Sequence, residues 1–192
     1  MLLCCLMPTL TGCMKETGEI ILLPIKNKQI PVTVLSKELQ SELSRYIPIH
    51  EGDTPPDIAG VYLTSPMRLK YASDGYSNDF YDMNWKVEPL GWWNRTTYSE
   101  WQNTVAGSAI EAHMIGSNEL FTMYTIDHVV NEDEGWCCDL VTLVSGRRTT
   151  DGIADYHYAI VMRDKWDENG QLMEPDYYRV FTDGDGLASK IL

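Results

Sequence analysis

From Ile58 onward, apolar and polar residues alternate with a period of two, the pattern of strands that bury one face. In "FYDMNWKVE" (80–88), Tyr81, Met83, Trp85 and Val87 fall on one side; Asp82, Asn84, Lys86 and Glu88 fall on the other. In "AIEAHMI" (109–115), Ile110, Ala112 and Met114 oppose Glu111 and His113, which places His113 on a polar face. The stretches "IAGVYLT", "NRTTYSEWQN", "ELFTMYTIDHV", "WCCDLVTLVSGR", "IADYHYAIVMR" and "YYRVFTD" read as further strands. Turn residues separate many of them: "GSN" at 116–118, "NEDEG", "TTDG" and "DENGQ". No helical period intervenes, so the pattern predicts an antiparallel meander of about eight strands. An open meander leaves two unpaired edges, and closure into an up-and-down β-barrel removes them.

Ahead of the strands the period changes. Leu35, Leu39, Leu43 and Tyr46 form one apolar stripe at helical spacing. Ser36 is a suitable N-cap, which predicts a short helix from 36 to about 46. Pro24 and Pro31 argue against a central strand in 14–35, and "IPIHEGDTPP" carries turn chemistry throughout. The fold class is therefore mainly β, a barrel preceded by one short helix.

The first twelve residues contain no Asp, Glu, Lys or Arg. Their apolar run of roughly nine residues is too short for a bilayer, which needs about twenty, and suits a signal-peptide core. Leu10-Thr11-Gly12-Cys13 resembles the bacterial lipobox, in which the cysteine is acylated and becomes the first mature residue. That resemblance implies lipid attachment at Cys13. Met14-Lys15-Glu16-Thr17 partly resembles the lysine-plus-acid signal of surface-exported lipoproteins. The chain then divides into a signal peptide (1–12), a lipidated tether (13–35), a helix and linker (36–57) and a barrel (58–192). Its expected location is the outer membrane, facing the periplasm or the cell surface, with the lipid as its membrane contact.

"PIHEGDTPPDIAGVYLTSP" (48–66) resembles the start of the mature domain in uncharacterised lipoproteins of Bacteroides-type bacteria, many considered lipocalin-like. Gly60-Val61-Tyr62 is similar to the lipocalin G-x-W on the first barrel strand, with Tyr in place of Trp. "GIADYHYAIVM" and "FTDGDGLA" are also similar to that family. The resemblance implies an eight-stranded calycin-type barrel, whose interior side chains either fill or leave open for one small ligand.

Composition narrows the chemistry. A net charge of −13, with Arg147-Arg148 as the single basic doublet, argues against nucleic-acid binding. Of the five cysteines, only Cys137 and Cys138 fall in the barrel. Adjacent cysteines cannot staple distant segments or span a zinc site, so strand parity puts one in the core and its neighbour outside; a vicinal disulfide or redox pair is the alternative. No nucleophile elbow, H-E-x-x-H or phosphate loop occurs, and no metal or cofactor is expected. His50, His113, His128 and His157 are scattered, and "TDGDG" at 182–186 reads as a turn in preference to a calcium loop.

Aromatics carry the candidate function. Trp85, Trp92, Trp93, Tyr98 and Trp101 cluster between 85 and 101, and flat rings stack on sugars or line apolar cavities. Tyr62, Trp85, Trp92, Trp93 and Trp101 are the candidate ligand-binding residues. The leading expectation is a non-enzymatic binding barrel for a small amphipathic ligand or glycan. The alternative is an interaction module in which the Trp-rich loop "LGWW" docks another envelope protein; a hydrolase using some of the chain's 28 acids ranks below both.

Overall fold

The computed structural model describes residues 27–90, 95–102 and 105–192, with the backbone alone at 102 and 105–111. The leader with Cys13 and the connector with Trp92 and Trp93 lie outside the described residues.

The elements are α1 (Lys37–Leu43), β1 (Asp53–Thr54), β2 (Gly60–Thr64), β3 (Met67–Ala72), β4 (Met83–Pro89), β5 (Arg95–Gln102), β6 (Val105–Ser117), β7 (Leu120–Asn131), β8 (Trp136–Arg148), β9 (Gly152–Asp167), β10 (Tyr178–Asp183) and β11 (Leu187–Lys190). Neighbouring strands run β11-β2-β4-β5-β6-β7-β8-β9-β10-β3, and β11 also pairs with β9. The result is a closed antiparallel barrel of eight strands, as the meander predicts.

Bent strands explain why more than eight segments build eight positions. β10 and β11 follow one another along β9, while β3 and β2 follow one another along β10 and β11. The bend between β2 and β3 falls at Ser65-Pro66, where proline has no N–H to give a ladder. The matching bend follows Asp183. Its carboxylate accepts from the Ser65 N–H at 3.0 Å and the Asp185 N–H at 3.0 Å, so one side chain ties both bends together. "TDGDG" is thus a turn held by its own aspartates, with Asp185 accepting from the Leu187 N–H at 3.0 Å.

Ser36 caps α1 by accepting from the Leu39 N–H at 3.2 Å. The helix is one turn shorter than its stripe, yet the stripe still points inward: Leu35 and Leu43 are buried, and Tyr46 stacks on Tyr71 at 3.8 Å. Leu43 and Ile47 pack on Tyr124, Val141, Leu143, Ala159 and Val161 of the outer wall. Buried Gln40 donates to the carbonyls of Ile30 and Leu35, fastening the incoming chain to the helix. Farther on, Gly52 lies against Gly116; a Cβ on Gly52 would stand 2.4 Å from the Gly116 carbonyl oxygen. That contact seats β1 parallel to the end of β6.

This outer layer alters two expectations. His113 is not on a solvated face: it is 5% exposed and its ring lies 5.5 Å from Tyr124, because strands under the helix and linker are covered on both sides. Tyr81 does not join the buried row of Met83, Trp85 and Val87. It is 74% exposed because β4 begins only at Met83.

Candidate functional site

The inner wall is built from residues of one parity on each strand. Tyr62, Met83, Trp85, Val87, Tyr98, Met114, Phe121, Met123, Tyr156, Tyr158 and Phe181 belong to one buried cluster. Tyr62 stacks on Trp85 at 4.4 Å, and Trp85 stacks on Tyr156 at 5.4 Å. The Tyr62 hydroxyl donates to the Ile58 carbonyl at 2.8 Å, and the Trp85 indole N–H donates to Thr64 Oγ1 at 3.1 Å. Tyr62 and Trp85 are therefore packed together as filling of the lumen. Trp101 is half-buried on the opposite face of the wall, since its neighbour Glu100 points inward. Trp92 and Trp93 lie outside the described residues.

Besides Asp183 at the bend after β10, two carboxylates share the inward parity. Glu100 sits opposite Trp85 across β4 and β5. It accepts from the Tyr98 hydroxyl at 2.7 Å and the Tyr158 hydroxyl at 3.2 Å. Asp127, opposite Leu140, accepts from Thr142 Oγ1 at 2.9 Å and Thr125 Oγ1 at 3.4 Å. Among the described residues, no basic side chain pairs with either acid. Burial holds the Glu100 carboxyl above the usual range; its phenol bonds oppose that rise, and the Asp127 charge adds to it. Burial raises Asp127 too, against its two threonine bonds. The phenols of Tyr98, Tyr156 and Tyr158 are pushed well up by burial, with the Glu100 charge adding, so they remain protonated donors. The Tyr156 hydroxyl is fully buried against Thr64.

Glu100 and Asp127 are half-buried, whereas the phenols around them are buried. Beyond them the loop after β9 folds Leu172 and Met173 onto Cys138, Leu140 and Met162. Lys165 holds that loop by donating to the Leu172 carbonyl at 3.2 Å and to Glu174 at 2.8 Å. The lumen thus presents a polar belt between two apolar clusters. A pocket of about 280 Å³ opens beside Pro56, Pro89, Arg95 and Thr96 and reaches Val87 and Met114 of the inner wall. Pro89 and Arg95 flank the connector that carries Trp92 and Trp93.

Glu100, Asp127, Tyr98 and Tyr158 are not among the residues singled out from sequence. Their signal is parity: Glu100 shares it with buried Tyr98, and Asp127 with buried Met123 and Thr125.

The histidines do not converge. His128 pairs with Asp139 at 2.7 Å, and His157 contacts Lys70 at 2.7 Å and the Asp155 carbonyl at 2.8 Å. Among the described residues no three His, Cys, Asp or Glu side chains are placed to hold a metal ion. Cys138 is a free, buried thiol, pushed up to about 11 by burial with the Asp139 charge adding. Cys137 is buried as well and is disulfide-bonded, so the neighbours are not bonded to each other. Cys138 faces the core and Cys137 the opposite side of the strand, as parity predicts, but Cys137 is covered as well, and the vicinal disulfide is corrected.

Fold and lumen define the class as an up-and-down β-barrel with an amphipathic interior. Comparison of the chain with family models, with curated proteins and with solved structures finds no match.

Proposed function

We propose that this chain is a lipid-anchored binding barrel, tethered through Cys13 at the outer membrane and holding a small amphipathic ligand. One observation carries the binding role: a polar belt formed by Glu100, Asp127 and three phenol-bearing neighbours, set between apolar clusters. Concave sites with an apolar lining and a few convergent polar groups suit ligands of mixed character. The lipobox at Leu10-Thr11-Gly12-Cys13 supports the anchor, and the similarity of 48–66 to Bacteroides-type lipoproteins supports the lipocalin-like reading. No catalytic constellation is assigned.

Native mass spectrometry of the purified protein tests the binding role. A co-purified small molecule released on unfolding is expected; a bare chain from every growth condition contradicts it. The second reading, docking through the Trp-rich connector, draws support from the packed Tyr62–Trp85–Tyr156 stack, which fills that part of the lumen. It gains if the barrel is bare and an envelope protein crosslinks beside Pro89 and Arg95.

The anchor has its own tests. Replacing Cys13 by Ser should shift the protein from the membrane fraction to the soluble one; unchanged fractionation rejects it. Thiol chemistry supplies a second measure. Cleavage before Cys13 removes Cys4 and Cys5, and a thioether occupies the Cys13 sulfur. Cys137 then has only Cys138 as an intrachain partner, so the disulfide that Cys137 makes in this structure should be absent from the processed monomer. A monomer that keeps a disulfide between Cys137 and a residue other than Cys138 was not processed in this way.

A further inference from the structure

We propose that a second site lies at the end of the barrel, in the pocket of about 280 Å³ between residues 55–59 and the β4–β5 hairpin, and that it takes a small carboxylate with a compact apolar body. This goes beyond the polar belt, which lies inside the barrel, and the two stand or fall separately. The walls set the body of the ligand. Exposed Pro89 and half-buried Pro55 line the pocket together with Ile58, Val87 and Met114 of the buried inner cluster, so it runs from solvent into the core. Apolar surface is stabilised where it leaves water in such a cleft. The volume falls just under the range of roughly 300–1,000 Å³ usual for drug-sized ligands, which limits the occupant to a small molecule.

The donors set its polar group. Pro55, Pro56 and Pro89 have no N–H to offer. The Ala59 N–H is given to Asp57 Oδ1 at 2.9 Å, and the Thr96 hydroxyl to the Glu88 carbonyl at 2.6 Å. Among the described residues of the wall, the Arg95 guanidinium is the charged donor. Its Nε is buried, so the charge sits in the wall and not out in water. A guanidinium carries five N–H groups, enough to serve a ligand beside the contacts Arg95 already makes. A carboxylate accepts two parallel N–H bonds from that fork, whereas an alcohol offers one neutral oxygen. Asp57, the other charge at the pocket, is exposed, so an ammonium would find only a solvated partner. The backbone fixes the arginine before a ligand arrives. The Leu90 N–H donates to the Arg95 carbonyl at 3.0 Å, and Arg95 pairs with His113 across β5 and β6. The net charge of −13 opposes an anion at long range, but physiological salt screens that field beyond about 8 Å and leaves the local guanidinium to decide.

The test is methyl NMR of the purified full-length chain labelled at the methionine Cε, titrated at physiological ionic strength with 3-phenylpropionate, 3-phenylpropan-1-ol and 3-phenylpropylamine. The signal missing from Met114→Leu assigns the methyl inside the pocket. The acid should shift that methyl and bind about tenfold or more tighter than the alcohol or the amine. Arg95→Gln should weaken the acid by about tenfold or more and leave the alcohol within about twofold, and Arg95→Lys should recover part of the loss. Ala59→Trp, which fills the pocket from its rim, should weaken acid and alcohol alike. Unchanged thermal unfolding of the variants separates lost binding from lost fold, and Ala59→Trp keeps the question open to measurement if Arg95→Gln does not fold. Alcohol or amine binding as tight as the acid overturns the choice of a carboxylate. Acid binding that leaves the Met114 methyl unmoved, or that is indifferent to Ala59→Trp, overturns the pocket. No binding by any of the three probes overturns the proposal and leaves the belt, which native mass spectrometry reads, as it was.

Discussion

The Asp183–Asp185 turn makes stability depend on pH in a direction that can be worked out. Asp183 is buried and its carboxyl is raised from 3.8 to about 6, by burial first and then by the hydrogen bond with Asp185. Because the folded value lies above the unfolded one, folding favours the protonated form. The contribution is therefore complete below about pH 4 and is lost as pH rises through about 6. A shift of about two units at about 1.4 kcal/mol each sets an upper bound of about 3 kcal/mol on that loss. The informative perturbation is Asp185→Asn. Its Oδ1 can keep the bond from the Leu187 N–H, while its amide N–H donates to ionised Asp183 in place of a like charge. Burial is untouched, so only part of the rise should disappear, on the order of 1 kcal/mol for a charge-assisted hydrogen bond. Urea unfolding of both proteins at half-unit steps from pH 4 to pH 7 measures this. The variant should match the parent near pH 4 and become progressively more stable towards pH 7. A difference that stays flat with pH, or falls, would refute the coupling of the two aspartates.

Three further outcomes are open to measurement. Glu100→Gln should stabilise the ligand-free barrel increasingly as pH rises above the ordinary glutamate range, because burial penalises only the ionised form; equal stabilities throughout a pH series would contradict this. Gly116→Ala should cost about 3 kcal/mol or more, since φ is +146° and the new Cβ would stand 2.1 Å from the Leu120 carbonyl oxygen; a loss below about 1 kcal/mol in urea titration would show that the hairpin yields. Ser36→Ala should cost about 1 kcal/mol through the lost cap on Leu39, and Ser36→Asp should restore it.

The barrel was legible in the sequence where one face of the sheet meets water. Met83, Trp85 and Val87 alternate with half-buried or exposed neighbours, and the structure places them inward as read. Legibility fails where a second layer covers the outside. The outer residues of β8, Val141 and Leu143, are buried under α1, so "LVTLV" has no polar alternation to read. His113 misleads for the same reason. β3 is missed because it continues a strand already recognised, past a proline bend that sequence reads as an end. The polar belt is harder still. Among 28 acids nothing local distinguishes Glu100 and Asp127, because their role comes from parity combined with closure, and closure is a property of the whole sheet.

That closure is made at one seam. β11 pairs with β2, the Val61 N–H donates to the Leu192 carbonyl at 3.0 Å, and the Ile191 N–H donates to the Val61 carbonyl at 2.8 Å. The first and last strands of the barrel thus complete each other across well over a hundred residues of intervening chain. A ribosome releases β2 well over a hundred residues before β11. Until residues 187–192 emerge, β2 and the start of β9 each expose a row of unpaired N–H and C=O groups, which are templates for pairing with another chain. Sheets built from such distant pairings also close slowly. The step most exposed to aggregation is therefore closure of this seam, and a cut or tag within these six residues would leave it open.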